Sequence, residues 1–212
     1  MVQLDIFGNP INPDLGIKPS IRLNIIRNGE YTYQPSFFNL ALSDRFFQDF
    51  RKNILWRQES MNMYGKKVSF PRLTSWYGDN DKPYTFSGIT LSPSPWTQSL
   101  VEIKNMIQEF SKAQFNSVLL NLYRHGNDSI SWHTDAEPEL GKNPIIASVT
   151  FGASRTFQLR HKHTKEQIEL ELTHGSLLIM QGELQHYWQH QIPKTKKIIG
   201  ERINLTFRNI KT

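Results

Sequence analysis

The segment Arg202-Ile203-Asn204-Leu205-Thr206-Phe207-Arg208 alternates polar and apolar residues. An alternation with period two predicts a β-strand, because successive side chains of a strand point to opposite faces. The apolar side chains therefore share one face, and the arginines share the other with Asn204 and Thr206. This polar face fits either the solvated side of an edge strand or the inner wall of a barrel. On an inner wall the arginines would require an anionic occupant, since buried guanidinium groups without a partner are costly.

Other short segments of the same kind precede this strand. They are rich in β-forming residues and are separated by Gly, Asn, Asp or Lys: Val118–Tyr123, Ile130–His133, Ile145–Phe151, Thr156–Arg160, Gln167–Leu172 and Ser176–Met180. Closely spaced short strands are typical of an antiparallel sandwich or barrel. The second half of the chain is therefore predicted to be all β.

The first half of the chain predicts helices and loops. Residues 1–40 are rich in Pro, Asn and Gly, and we expect a loose arm with one or two short strands. Ser43 can cap one helix, and Ser94 with Pro95 can begin another. The apolar residues of each helix have the spacing of one buried face: Phe46, Phe47, Phe50 and Ile54 in the first, and Leu100, Ile103, Ile107 and Phe110 in the second. Residues 64–79 are predicted to form exposed hairpins or loops, so the fold class is mainly β with flanking helices (α+β).

Composition restricts the chemistry that the chain can perform. Its 212 residues favour one domain with elaborations, and 25 Lys and Arg against 19 Asp and Glu give a net charge of +6. A basic surplus favours a polyanionic partner. The chain has no Cys, which excludes disulfides, thiolate nucleophiles and Cys-ligated metals, so nitrogen and oxygen would have to hold any metal. With neither a signal-peptide pattern nor an apolar run of about 18 residues, we expect a soluble intracellular protein without membrane contact.

The motif His133-Thr134-Asp135 is a candidate pair of metal ligands. Alternate residues of a strand project to the same side, so both side chains can reach one ion. Taken alone, the motif also fits an ordinary strand end at the surface. A later histidine can complete the set, and His174, His186 and His190 are all available. Two His and one carboxylate leave three positions open on an octahedral ion, which is the arrangement of non-haem Fe(II) oxygenases.

Taken together, these motifs resemble those of the AlkB family of Fe(II)- and 2-oxoglutarate-dependent dioxygenases, and most closely those of the members that repair alkylated DNA. The resemblance covers about residues 60–210. It rests on separate motifs in the family's order and spacing: Asn121-Leu122-Tyr123, His133-Thr134-Asp135, and His190 followed by Arg202 and Arg208, with the further blocks Tyr84–Gly88, Leu91–Pro93 and Ser148–Gly152. The family's spacing to the two arginines selects His190 as the third ligand and leaves His186 without a ligand role. His174 matches a family position whose histidine is structural.

The resemblance implies a fold, a cofactor set and a reaction. The fold would be a double-stranded β-helix, or jelly roll, with a nucleotide-recognition lid: residues 1–90 would form the arm, helix and lid, and residues 91–212 the catalytic core of the same compact domain. His133, Asp135 and His190 would hold Fe(II). Arg202 and Arg208 would grip 2-oxoglutarate, and other residues would assist them: Asn121, Tyr123, Asn204 and Thr206. With O₂, the enzyme would demethylate bases such as 1-methyladenine and 3-methylcytosine, releasing succinate, CO₂ and formaldehyde.

Chemistry on a duplex base requires that the base be flipped out, which calls for cations on the phosphates and aromatic rings for stacking. By resemblance, Met63-Tyr64-Gly65 is a finger that fills the gap left by the flipped base. The expected nucleotide contacts are Tyr64, Gly65, Lys66, Arg72, Tyr84, Phe86, Ser87 and Glu137. Ala136 stands where the DNA-repair relatives carry a second acidic residue, which bears on base preference. The same stretch also fits a solvated loop with aromatic residues packed into the domain.

The segment Gln3-Leu4-Asp5-Ile6-Phe7 resembles the short peptide that docks onto the bacterial sliding clamp. It also fits a packed first strand, which is the favoured interpretation. We expect a monomer that binds alkylated DNA, in the cytoplasm of a bacterium or the nucleus of a eukaryote. The alternatives are a related oxygenase acting on RNA, protein or a small molecule, and a nucleic-acid-binding module without catalytic activity.

Overall fold

The computed structural model describes residues 22–63, 66–79, 84–86, 89–91 and 93–211, and of residues 61–63, 66, 84–86 and 89–91 it describes the backbone alone. None of the helices within these ranges has the length and apolarity that a membrane crossing requires.

A seven-stranded antiparallel sheet, here called the major sheet, forms one layer. Its strand order is β1-β2-β13-β10-β15-β8-β5. The strands are β1 (Leu23–Ile26), β2 (Gly29–Gln34), β5 (Leu73–Gly78), β8 (Ser117–Tyr123), β10 (Ile146–Gly152), β13 (Ser176–Gln181) and β15 (Arg202–Arg208). Three of these strands precede residue 91, so the major sheet extends across the predicted boundary between lid and core.

A four-stranded sheet, the minor sheet, forms the facing layer, with the order β12-β11-β14-β9. Its strands are β9 (Ile130–His133), β11 (Arg155–His161), β12 (Gln167–Leu172) and β14 (Trp188–Ile192). Two small hairpins complete the β structure: β3 (Ser60–Met63) with β4 (Lys66–Ser69), and β6 (Tyr84–Phe86) with β7 (Ile89–Leu91). The two facing sheets confirm the predicted jelly roll.

The alternation of β15 divides the interior into two apolar clusters. Ile203, Leu205 and Phe207 belong to the cluster that packs the helices onto the major sheet. The second cluster combines residues from both sheets, among them Leu119, Phe157 and Leu178. All of β15 is buried, and its polar residues line a cavity together with residues of the minor sheet. The polar face of β15 is therefore the inner wall of the barrel and not the solvated side of an edge strand.

Three helices accompany the sheets in the described part of the chain: α1 (Leu40–Asn53), α2 (Gln98–Ser111) and the single turn α3 (Leu184–Tyr187). Phe46 and Phe50 of α1 are fully buried, and both rings pack against Phe151 of β10 at centroid distances of 5.6 and 6.1 Å. The predicted buried faces of α1 and α2 therefore form as expected.

Both predicted helix starts were wrong. Asn39 caps α1 by accepting the Leu42 N–H at 2.9 Å, and Ser43 lies inside the helix. Asn is as strong a cap as Ser and comes first along the chain. Thr97 caps α2, whereas the backbone of Ser94 pairs with the edge of β5 through Trp76 and Gly78.

The strands predicted between residues 118 and 207 match the observed ones to within one residue at each end. Two strands of the facing sheets were missed. The segment predicted as exposed hairpins or loops contains the buried strand β5, because Trp76 packs in the cluster between the sheets and Tyr77 in the helix-facing cluster. The other missed strand is β14, which carries His190.

Candidate metal centre

Three side chains with metal-binding atoms meet at the edge of the minor sheet. His133 ends β9 and lies opposite His190 of β14 in the register of the two strands. Asp135 follows two residues after His133 and is 1% exposed. The ligand atoms of the three residues all lie within 4.8 Å of one another. The structure therefore brings together the three residues that the sequence singled out, in a set that suits an octahedral Fe(II) ion.

The charges around this cluster favour its metal-binding form. Burial raises the pKa of Asp135, but the charges of Arg208, His190 and His133 more than offset this and hold the pKa well below its usual range. Burial, joined by the charge of His133, lowers the pKa of His190 to about 3. Burial also lowers the pKa of His133. Near neutral pH the site therefore offers a carboxylate and two neutral imidazoles, the protonation states that a metal requires.

A backbone contact selects the ligating nitrogen of His133. Its Nδ1 lies 2.9 Å from the carbonyl oxygen of Ser131. A carbonyl only accepts hydrogen bonds, so Nδ1 carries the proton and Nε2 keeps the lone pair. Partners of this kind orient metal-bound histidines and set their tautomer.

Arg208 forms a buried ion pair with this cluster. Its Nη2 donates to Oδ1 of Asp135 at 2.8 Å, and both side chains are about 3% exposed or less. Removing one member of a buried pair leaves an uncompensated charge and is strongly destabilising. The structure thus places Arg208 against a metal ligand, a contact that the sequence did not predict.

Arg202 lies farther along the same wall and is 1% exposed. Its Nη2 donates to Thr150 Oγ1 at 2.9 Å and to Asn204 Oδ1 at 2.6 Å. Among the described residues, its Nε and Nη1 have no hydrogen-bond partner. Burial lowers the pKa of Arg202 to about 10, with Tyr123 opposing the shift, so the guanidinium stays charged near neutral pH. A buried cation with unused donors is suited to a carboxylate, which a guanidinium binds bidentately.

The polar groups beside Arg202 hold it in place. Asn204 Oδ1 accepts from the hydroxyls of Ser148 and Thr150, at 3.1 and 3.2 Å, as well as from Arg202. Asn204 Nδ2 donates to Thr206 Oγ1 at 3.1 Å. Asn204 and Thr206 therefore form a network that orients the guanidinium. The residues Ser148 and Thr150 were missed because only the strand register brings them opposite Thr206 and Asn204.

One cavity joins the metal cluster to this arginine. It encloses about 490 Å³ of space, part of it open to solvent. Its polar lining consists of Asn121, Tyr123, His133, Asp135, Ser148, His190, Arg202, Asn204, Thr206 and Arg208. The lining includes every residue predicted to bind the metal or the cosubstrate.

Arg72 was predicted to contact the nucleotide, which requires an exposed side chain, but it is buried. Its side chain is 3% exposed, and Nε donates to Oδ1 of Asn121 at 2.7 Å. Arg72 therefore lies behind Asn121, which lines the cavity. Because Arg72 donates to the amide oxygen of Asn121, the amide hydrogens of Asn121 stay available for a ligand. Its predicted contact with DNA has no support from this position.

Most of the other predicted nucleotide contacts fall outside the described side chains. Tyr64, Gly65 and Ser87 lie outside the described residues. Lys66, Tyr84 and Phe86 belong to the two small hairpins, of which only the backbone is described at these positions. Glu137 is partly buried in the loop after Asp135. These assignments therefore stay predictions.

Neither of the other candidate histidines belongs to the metal cluster. His174 Nδ1 accepts the Gly152 N–H at 2.8 Å, and its Nε2 lies 3.2 Å from Asp44 Oδ1. His186 lies on α3 with Nε2 3.0 Å from Asn143 Oδ1.

Comparisons with known proteins agree with this site. The sequence family described as the 2OG-Fe(II) oxygenase superfamily matches residues 30–208. The chain is 42% identical over 186 residues to alpha-ketoglutarate-dependent dioxygenase alkB homolog 3 of Bos taurus, covering 83% of this chain and 64% of that protein. It is 40% identical over 184 residues to DNA oxidative demethylase ALKBH2 of Homo sapiens, covering 82% and 70%. The match therefore spans less than two thirds of the length of the first of these relatives.

Two solved structures share the fold. OsALKBH1 gives a TM-score of 0.63 at 17% identity, over 88% of this chain and 100% of that one. A prolyl-4-hydroxylase of Pseudomonas putida gives a TM-score of 0.57 at 12% identity, over 84% and 92%.

The cluster predicts that a divalent metal stabilises the protein. A ligand that binds only the folded state at about 100 times its Kd adds about 2.7 kcal/mol, which corresponds to a rise in Tm of about 5–10 °C for a chain of this size. We expect Co(II) or Mn(II) to produce this rise in a thermal melt and His133→Ala to abolish it. His163→Ala, which removes an exposed histidine outside the cluster, serves as the control and should keep the full rise. An equal rise in His133→Ala would place the metal elsewhere.

Proposed function

The chain belongs to the 2OG-Fe(II) oxygenase superfamily, and from this membership we propose that it is an Fe(II)- and 2-oxoglutarate-dependent dioxygenase that removes alkyl groups from N-alkylated bases in DNA. The expected lesions include 1-methyladenine and 3-methylcytosine. The proposal extends to this chain what the name of its relative, DNA oxidative demethylase ALKBH2, says of that protein.

The observation that carries the proposal is the shared cavity of the His133-Asp135-His190 cluster and the Arg202 guanidinium. A metal site alone would fit many enzymes. A metal site beside a buried arginine with unused donors calls for a cosubstrate that is both a metal ligand and an acid. 2-Oxoglutarate has both properties, because its 2-oxo acid end can bind the metal and its distal carboxylate can pair with the arginine.

Each residue of the cavity has a role that follows from its contacts. His133, Asp135 and His190 would hold Fe(II), which when bound couples the oxidative decarboxylation of 2-oxoglutarate to hydroxylation of the alkyl carbon. Arg208 keeps the Asp135 carboxylate ionised and fixes its direction. Arg202, steadied by Asn204 and Thr150, would bind the distal carboxylate beside Tyr123, whose ring centroid lies 5.1 Å from the guanidinium carbon. The apolar wall, which includes Leu119, Phe157 and Ile192, limits access of water to the reacting atoms.

Two features of the chain support a nucleic-acid substrate. The basic surplus of +6 favours a polyanion. The strands β3 and β4, which lie on either side of residues 64 and 65 in the sequence, form a hairpin that carries the exposed Lys67. In a finger, such a cation would contact a phosphate while an aromatic residue fills the gap in the base stack.

The activity can be tested on short oligonucleotides that each carry one methylated base. With Fe(II), 2-oxoglutarate and O₂, we expect formaldehyde release and loss of the methyl group by mass spectrometry for 1-methyladenine and 3-methylcytosine in DNA. His133→Ala should abolish turnover yet bind the oligonucleotide about as well, because the metal cluster is not part of the phosphate-binding surface. His163→Ala should keep the wild-type rate.

Turnover of the same bases in RNA alone would favour the alternative of an RNA oxygenase. Full activity of His133→Ala would refute the metal assignment. If no oligonucleotide is demethylated and only a protein or a small molecule stimulates consumption of 2-oxoglutarate, the substrate belongs to that class.

Arg202 predicts a specific defect in cosubstrate binding. Arg202→Met removes the charge but keeps a long apolar stem. Truncating one partner of a buried, hydrogen-bonded charge pair costs about 2–5 kcal/mol, so the KM for 2-oxoglutarate should rise by about 30-fold or more. Arg45→Met, which removes an exposed arginine paired with Glu102, should leave this KM unchanged. An unchanged KM in Arg202→Met would exclude the proposed carboxylate site.

The N-terminal peptide Gln3–Phe7 lies outside the described residues, so clamp docking and packing as a first strand both stay predictions. Clamp docking predicts that deletion of residues 1–8 abolishes binding to a bacterial sliding clamp, measured by calorimetry. Unchanged affinity would exclude it. A loss of thermal stability on deletion would favour the packed strand. Analytical sedimentation of the full chain would test the expected monomer.

A further inference from the structure

We propose that Gln185 is a positioning residue for the metal centre, which fixes the Asp135 carboxylate through a hydrogen bond to its backbone. The proposal rests on the metal site of the proposed function but not on the identity of its substrate. Gln185 lies on α3 and is 1% exposed. Its role does not follow from the sequence motifs, because it lies 50 residues from Asp135 along the chain.

The backbone of Asp135 needs such a support. β9 ends at His133, so Asp135 lies beyond the hydrogen-bonded ladder that holds the first ligand. Its N–H instead donates to Oε1 of Gln185 at 2.9 Å. A buried N–H that loses its acceptor costs about 1–3 kcal/mol, so this bond constrains the chain at the point where the carboxylate begins.

The surroundings of Gln185 determine which way its amide points. Only the amide oxygen can accept from the Asp135 N–H. The opposite end, Nε2, lies 3.7 Å from Sδ of Met180, a weak acceptor on the neighbouring strand β13. The side chain therefore spans from the major sheet to the loop after β9.

Two contacts together select the oxygen of Asp135 that would bind the metal. Gln185 fixes the backbone, and Arg208 occupies Oδ1 at 2.8 Å. The remaining oxygen, Oδ2, lies 3.9 Å from Nε2 of His190. His190 itself follows three residues after the end of α3. The single turn α3 therefore holds the backbone of Asp135 through Gln185 and also leads directly into the strand that carries His190.

The neighbouring residue provides a matched control. His186 also lies on α3 and also contacts the loop after Asp135, through Asn143 at 3.0 Å, but its side chain is exposed and its contact is remote from the carboxylate. If α3 merely tethers the loop, loss of either contact should have a similar effect. If Gln185 orients the ligand, only its loss should change the metal site.

The test compares Gln185→Met, Gln185→Leu and His186→Ala with the wild type by titration with Co(II), without cosubstrate or turnover. Loss of a partner that orients a metal ligand typically costs about 10- to 100-fold in affinity. We expect this loss in both Gln185 variants, together with a changed d–d absorption spectrum of the Co(II) form. His186→Ala should bind within about twofold of the wild type and keep its spectrum. Near-UV circular dichroism checks that each variant is folded.

Wild-type affinity and spectrum in a folded Gln185 variant would overturn the proposal, as would an equal loss in His186→Ala. If neither Gln185 variant folds, amide hydrogen exchange of the wild type decides. The Asp135 N–H should exchange far more slowly than that of its exposed neighbour Ala136, and equal rates would show that the bond does not form. A wild-type protein that binds no Co(II) would instead refute the metal site of the proposed function.

Discussion

The buried ion pair between Arg208 and Asp135 joins the two layers of this fold. Arg208 is the last residue of β15 in the major sheet, and Asp135 lies in the loop after β9 of the minor sheet. Two charges removed from water are stable only in good geometry and with their remaining polar atoms satisfied. The pair thus restricts how the sheets face each other, and it holds one metal ligand in its ionised form. Packing and chemistry depend on the same contact.

The register of β15 is what brings these groups together. Every polar residue of β15 lies opposite a residue of β8, and all of them except Arg208 also lie opposite a residue of β10. Asn204, for example, is flanked by Asn121 and Thr150. A shift of one residue would turn Ile203, Leu205 and Phe207 into the cavity and the arginines into the helix-facing core. The apolar cluster under α1 and α2 therefore secures the orientation of the polar wall, although none of its described side chains lines the cavity.

Much of this arrangement was predictable from local patterns, and the exceptions have physical causes. The β15 alternation and the strand-turn rhythm after residue 116 are local signals, and the strands that they predicted were confirmed. The His133-Thr134-Asp135 motif is also local, and the structure brings its His and Asp together with His190. The strand β14 was missed because the buried face of WQHQI carries His190 between Trp188 and Ile192, so its three central residues are all polar in the sequence. Arg72 looked like a surface cation because only the pairing of β5 with β8 brings it against Asn121. Contacts made across sheets leave no spacing signal along the chain.

Burial changes what the net charge of the chain means. Among the described residues, four arginines are buried, Arg72, Arg155, Arg202 and Arg208, whereas the buried acidic residues are Asp128 and Asp135. Asp128 is already paired with Arg124 and Asp135 with Arg208. The interior beside the cavity therefore carries an excess of positive charge, which is costly at low dielectric. A dicarboxylate offsets this excess, whereas a divalent cation alone increases it, so a bound dicarboxylate would compensate the charge that the metal adds. Part of the basic surplus that suggested a nucleic acid thus belongs to the proposed cosubstrate site.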